Sequence, residues 1–297
     1  MVNARQIPGW LAELYPFQPQ SFTTPGGARM SYVDEGPRHD EAVLMLHGNP
    51  TWSFYYRNLI RELSPTMRCV APDHVGMGLS EKPANYDYTL GTRIADIAAL
   101  VSHLGLKKVH LVVHDWGGAI GFGWAGRHSA MVGRIVITNT AAFASPRIPL
   151  RIAVCRIPGL GPWAVRALNA FAGPATWMAM SRRSLTSAEC DGYLYPYRSA
   201  AERVAVAAFV QDIPMESSHR SWETLQEVER NLALFRGHRI GVIWGGRDFC
   251  FNDTFLARWR KIFPGAQIVR IGDAGHYVFE DAGDEALEPA EGFLQGQ

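Results

Sequence analysis

The chain has 297 residues, 47% of them hydrophobic, and a formal net charge of +1. That length suits one large α/β domain or two small ones, and buries a sizeable core without disulfides or metals. The near-neutral balance and the lack of a basic run exclude a general nucleic-acid binder, and no stretch of 18 or more apolar residues is present to span a membrane.

Residues 1–19 hold Pro8, Pro16 and Pro19 and read as an irregular leader. Met30 to Asp34 is expected to be a strand, ended by Glu35-Gly36-Pro37. Ala42 to Leu46 is a short, wholly apolar strand that runs into the tight loop His47-Gly48-Asn49-Pro50. Phe54 to Leu63 has helical spacing. Cys69 to Ala71 is a further strand, ending in Pro72-Asp73-His74-Val75-Gly76-Met77-Gly78. A helix over about 90–104 leads to the apolar strand Val109 to Val113, and Arg134 to Ile137 is the next strand. From 141 to about 218 the alternation stops, and helical pieces are divided by Pro146, Pro149, Pro158, Pro162, Pro174, Pro196 and Pro214. The pattern resumes with a helix near 222–235, a strand over 239–244, a helix near 255–263, the strand Gln267 to Ile271 and a closing helix.

Alternating strands and helices imply a mostly parallel sheet with helices on both faces. The expected division is a core over 1–140, a helical cap over 141–218 inserted after the sixth strand, and the rest of the core over 219–297. The underside of such a cap roofs a pocket, so Phe143, Trp163, Phe171, Trp177 and Met178 are candidate lining residues. Arg147, Arg151, Arg156 and Arg166 alternate with apolar residues there. That pattern marks either a solvated helix face or a face that docks on a membrane surface or a partner.

The chemistry gathers at Asp115. It follows a buried strand and precedes Gly117, Gly118 and Gly121, which let a helix press against that strand. This is the setting of a nucleophile elbow, with Asp in the usual Ser position and Val113 in place of the leading glycine. An aspartate before a helix also serves as a cap. As a nucleophile, however, a carboxylate suits attack on saturated carbon, and it needs no base because it is ionised at neutral pH. The expected partners are His276, after the last strand, and an acid after a late strand. Asp248 is the first choice for that acid, with Asp253 and Asp273 as rivals. Asn139 occupies the alternative acid position but is an amide. Asn49 and Trp116 both carry N–H donors. Their backbone amides suit an oxyanion hole, and their side chains suit an anionic leaving group such as a halide.

Asp115…Asp248…His276 follows the chain order of the α/β-hydrolase triad. The segments His47-Gly48-Asn49-Pro50-Thr51-Trp52, Pro72 to Ser80, His114-Asp115-Trp116-Gly117-Gly118, Gly245-Gly246-Arg247-Asp248 and Gly275-His276 resemble the haloalkane dehalogenases of that superfamily. The resemblance implies an α/β-hydrolase fold and an aspartyl-ester intermediate, hydrolysed by water that His276 activates, giving alcohol and halide. The cap opening, Ile137 to Phe143, with Gln211-Asp212-Ile213-Pro214 and Arg247 to Phe251, is similar instead to the β-lactone decarboxylases of bacterial olefin synthesis. That resemblance implies a long-chain cis-alkene and carbon dioxide as products, and docking on partner biosynthetic enzymes or a homo-oligomer. Epoxide hydrolases also use an elbow Asp with cap tyrosines, for which Tyr193, Tyr195 and Tyr197 are available, but Trp116 and Asn49 argue against them. Trp116 likewise argues against fluoroacetate dehalogenases. A ligand sensor would be expected to have lost part of the Asp115, Asp248 and His276 set.

The expected activity is thus that of a haloalkane dehalogenase on a small apolar halide, with β-lactone decarboxylation as the alternative, and no nucleic-acid partner. No cofactor is called for, and no His, Asp or Glu spacing matches a metal site. The cysteines at 69, 155, 190 and 250 are too far apart for C-x-x-C, and free thiols fit a reducing cytoplasm. Met1 to Gly9 lacks the apolar core of a signal peptide.

Overall fold

The structure, a computed structural model, describes residues 7–297. Eight strands form one sheet in the order β1-β2-β4-β3-β5-β6-β7-β8. The leader expected over 1–19 contains a short helix, α1 (Gly9–Ala12), whose Leu11 is buried; its first six residues lie outside the described residues. Strand β1 (Gln20–Thr23) pairs antiparallel with β2 (Arg29–Glu35), which pairs antiparallel with β4 (Cys69–Pro72). From β4 onward all pairings are parallel, through β3 (Glu41–Leu46), β5 (Lys108–Asp115), β6 (Val132–Thr140), β7 (Ile240–Gly245) and β8 (Gln267–Ile271). The central strands are apolar on both faces because helices cover both. Edge strand β1 is largely exposed and polar, so hydrophobic patterning did not disclose it.

The expected helix over 54–63 splits into a 3-10 turn at Ser53–Tyr56 and α2 (Arg57–Leu63). Helix α3 (Leu90–His103) packs on α4 (Trp116–Arg127), and α4 lies against β3, β5 and β6. Between β6 and β7 run the short helices α5 (Leu150–Cys155), α6 (Leu160–Ala167), α7 (Ala172–Met178), α8 (Ser187–Leu194) and α9 (Val204–Gln211). Pro149 and Pro158 precede helix starts, and Pro162 and Pro174 fall in a first turn, where the missing N–H costs no intrahelical bond. Helix α10 (Trp222–Asn231) packs beside α3 and α4, and Trp259 of α11 (Asp253–Ile262) stacks on Phe122 of α4. The closing helix is two pieces, α12 (Val278–Asp281) and α13 (Asp284–Gln295), and α13 covers β6, β7 and β8 on the opposite face.

Two crossings bring the elbow together. Gly117, the second residue of α4, lies so close to β3 that a Cβ there would overlap the Leu46 carbonyl oxygen. Backbone atoms on both sides leave no flexible group to yield. Gly117→Ala is therefore expected to destabilise the protein by about 2–4 kcal/mol, read as a lower urea midpoint with an unchanged slope. A loss below about 0.5 kcal/mol, the scale of an ordinary surface change, would show that the crossing has slack.

Candidate active site

Asp115 is the last residue of β5 and sits at φ 51°, ψ −122°, outside the regions a side chain prefers. The bend is held from both sides. The Thr140 hydroxyl donates to the Asp115 carbonyl, and the Asn49 amide donates to its Oδ1 at 2.7 Å. A Cβ on Gly48 would overlap the Asp115 carboxylate itself, so only glycine lets the 47–50 loop approach. His47 shapes that loop from below. It is neutral, since burial pushes it down to about 4, and it donates from Nδ1 to the Gly48 carbonyl while its Nε2 accepts from the His74 amide.

His276 follows β8 and is buried over Asp115. Its Nε2 lies 3.8 Å from Asp115 Oδ2, and its Nδ1 meets Asp248 Oδ2 at 2.7 Å. The structure thus brings Asp115, Asp248 and His276 together. The two rival acids sit elsewhere at the surface, Asp253 paired with Arg270 and Asp273 with Arg182. Asn139 is not idle: from its positive φ of 32° its Nδ2 donates to Asp248 Oδ2 and to the Gly245 carbonyl, at 3.0 Å each. With the Cys250 amide donating to Asp248 Oδ1 at 2.6 Å, the acid is fixed at both oxygens. As an amide Asn139 does not replace the acid but orients it, a role that residue type alone does not disclose.

The electrostatics follow from burial and pairing. Burial alone pushes the Asp115 carboxyl up. The imidazole of His276 and the amides of Asn49 and Trp116 favour its ionised form, and the net value stays above the ordinary one. Burial alone pushes His276 down, but the charge and hydrogen bond of Asp248, with Asp115 beyond, raise it above its ordinary value.

Two cavities meet at Asp115. Both are lined by Asn49, Asp115, Ile152, Phe171 and Cys250. The first, about 130 Å³, continues past Trp116 and Phe143 to Leu225 and Phe255. The second, about 350 Å³, continues past His276 and Tyr277 to Met178 and Trp177. Four of the five expected cap residues therefore line one or both. Trp163 lines neither and is half-exposed on α6. Gly161 and Val165 form the buried face of that helix, and a residue two positions from each points the other way. Tyr193, Tyr195 and Tyr197 line neither cavity; Tyr193 stacks on Tyr277 and Tyr197 accepts from the Gly78 amide. Asn49 already donates from Nδ2 to the Val206 carbonyl at 3.1 Å, which leaves one amide hydrogen for a ligand. Behind Trp116 lies a buried Arg93–Asp212 ion pair at 2.9 Å, with the guanidinium 3.6 Å over the Phe209 ring and 5.3 Å from Trp116. Only the Gln211-Asp212-Ile213-Pro214 segment hinted at it. Among the described residues, no cluster of three His, Cys, Asp or Glu side chains is set to hold a metal ion.

The chain belongs to the α/β-hydrolase fold family, whose pattern it matches over residues 41–283. Within that family it is 44% identical over 287 residues to the cis-3-alkyl-4-alkyloxetan-2-one decarboxylase of Xanthomonas campestris pv. campestris, covering 93% of this chain and 95% of that one. The enzyme of the same name from Shewanella oneidensis is 41% identical over 96% of this chain and 90% of its own length. Haloalkane dehalogenase 2 of Mycobacterium tuberculosis is 32% identical over 92% and 93%. Among solved structures, haloalkane dehalogenase DbeA from Bradyrhizobium elkani superposes with a TM-score of 0.84 at 24% identity, covering 94% of this chain and 98% of that one, a likeness of fold.

Replacing Asp248 separates the two influences on His276. In Asp248→Asn, burial remains and the charge is gone, so His276 is expected to titrate below about 6.5 instead of above it, as followed by NMR of the imidazole. Because the folded value is raised, the pairing adds stability that is fully present below about pH 6.5 and lost as pH rises through the folded value. An unmoved titration would show that Asp248 does not govern His276.

Proposed function

We propose that the protein is a β-lactone decarboxylase acting on cis-3,4-dialkyl oxetan-2-ones. The observation that carries this reading is the pair of apolar cavities diverging from one carboxylate. A cis-dialkyl β-lactone is a small polar ring with two apolar chains leaving from adjacent carbons, and each chain has a chamber. The names of the two relatives above 40% identity support the same substrate class.

In this reading Asp115 Oδ2 attacks C4 of the lactone from the side opposite the ring oxygen. The C4–O bond breaks, and its electron pair goes to the ring oxygen, which becomes part of a free carboxylate. The amides of Asn49 and Trp116 hold Oδ1, the carbonyl oxygen of the new aspartyl ester. The Trp116 indole N–H and the remaining Asn49 amide hydrogen receive the released carboxylate. Carbon dioxide then leaves, its bonding pair forms the C3–C4 double bond, and the Asp115 carboxylate is expelled unchanged. Inversion at C4 followed by anti elimination gives the cis alkene. A carboxylate stripped of water in an apolar chamber loses carbon dioxide more readily than one in solvent. No water is consumed, so His276 is needed as a nearby cation and not as a base.

A second reading, haloalkane dehalogenase, is favoured by Trp116 beside Asn49 and by the 32% relatives. There the same ester forms with loss of halide, and hydrolysis requires His276 as base. The two readings part in a His276→Phe variant. With a 1-bromoalkane it is expected to release one equivalent of bromide and hold a stable alkyl adduct. With the dialkyl lactone it is expected to go on making alkene, slowed by less than about 100-fold, below what loss of a general base usually costs. Wild-type protein that releases bromide freely and makes no alkene would overturn the lyase reading.

A further inference from the structure

The outer face of the cap has a character that the pocket does not explain. Among the described residues, seven of the nine exposed large hydrophobic side chains fall between 150 and 177, the other two being Trp10 and Leu234. Leu150 and Trp177 are 78% and 67% exposed. On α5 the exposed positions Leu150 and Val154 are four apart, and on α6 Leu160 and Trp163 are three apart, so each helix turns one apolar stripe outward while Ile152, Cys155 and Val165 pack inward. Helices α5 and α6 pack on each other. The exposed Trp177 near the end of α7 lines the larger cavity together with Arg151, which follows Leu150 at the start of α5, so this face borders the cavity rim.

Charge is as uneven as apolarity. Residues 141–188 contain six arginines and no Asp, Glu or Lys, in a chain whose net charge is +1. Arg182 is paired with Asp273 and Glu285 of the core, and Arg183 with Glu280 of the core and with Glu189 of α8. None of the other four has an ion-pair partner among the described residues: Arg147 and Arg151 are exposed, Arg166 is exposed and donates to the Ala200 carbonyl, and Arg156 is half-buried and donates to the Ile213 carbonyl. Unpaired arginines among exposed aliphatic and Trp side chains have the composition of an interfacial surface. The rings and stems enter the acyl boundary and the guanidinium groups stay at the headgroups.

We propose that α5, α6 and the end of α7 dock this protein on an anionic lipid bilayer, with the mouth of the larger cavity facing the acyl chains. Positive charge without a single acid over 48 residues matches an anionic headgroup layer. Continuity of the apolar stripe with the cavity rim gives a water-insoluble substrate a path that never crosses water. This use of the face rests on the dialkyl-lactone reading, whereas the docking itself does not.

The test is flotation of the full-length protein with vesicles of phosphatidylethanolamine and phosphatidylglycerol, against vesicles of phosphatidylcholine, at low ionic strength. The wild type is expected to float with the anionic vesicles and to be released by salt. A Val154→Glu, Leu160→Glu, Trp163→Glu variant, which alters no cavity residue, should bind at least about tenfold more weakly while still turning over a short-chain lactone. If that variant loses its fold by thermal melting, Leu160→Glu alone takes its place. Brominated phosphatidylglycerol should quench part of the wild-type tryptophan emission through Trp163 and Trp177. A wild type that stays in solution, a folded variant that floats as well as wild type, or one that differs only by breaking up a self-associated species in sedimentation would each overturn the proposal. Flotation without alkene from any lactone would leave the docking face standing and remove the lyase reading instead.

Discussion

Everything in the active region depends on how closely the end of β5 approaches the loop after β3. Asp115 is held at positive φ with its carboxylate against the Asn49 amide, and glycines at 48 and 117 let the backbones come that near. This contact has a chemical consequence. One carboxylate oxygen is already engaged by an amide, so the other faces the cavities and His276. In the proposed reaction the nucleophile and the donor to its second oxygen are thus arranged by one packing event, with no rearrangement needed. The acid-histidine pair is arranged separately, by loops after β7 and β8, and reaches Asp115 only because parallel strands deliver all of these loops to one edge of the sheet.

Much of this was readable from the chain because parallel strands buried on both faces leave nearly continuous apolar runs, and because the turns after them carry polar residues at fixed places. Asp115 at the end of β5, Asp248 in the turn after β7 and His276 in the turn after β8 could each be placed at the carboxyl end of a strand. Other features had no such signature. Strand β1 is polar and half-solvated. Trp163 reads like any cap aromatic until the turn of α6 shows which way it points. The choice among Asp248, Asp253 and Asp273 needed geometry, since all three lie in loops or helix starts near the same edge and only their distance to His276 distinguishes them. Asn139 was misjudged for a different reason. A residue can serve a carboxylate by hydrogen bonding to it, and residue type alone does not separate that role from replacing it.

The cap carries two sets of requirements on the same short helices. Its inner side supplies Ile152, Phe171 and Met178 to the cavities, while its outer side presents arginine and exposed apolar groups. An ordinary solvated helix would place mixed charges on that outer side. The sheet below constrains neither surface, so chains of this fold can differ in what they accept. Similarity to both decarboxylases and dehalogenases fits a shared α/β-hydrolase core.

In the proposed reaction Asp115 attacks saturated carbon and is returned without water. Turnover of a cis-dialkyl β-lactone in water enriched in the heavy oxygen isotope, followed by mass spectrometry of the peptide that contains Asp115, tests it directly. Alkene is the expected product, with an Asp115 carboxylate that gains no label. A labelled carboxylate accompanied by β-hydroxy acid would contradict it, and would mean that His276 drives water onto the ester before carbon dioxide can leave.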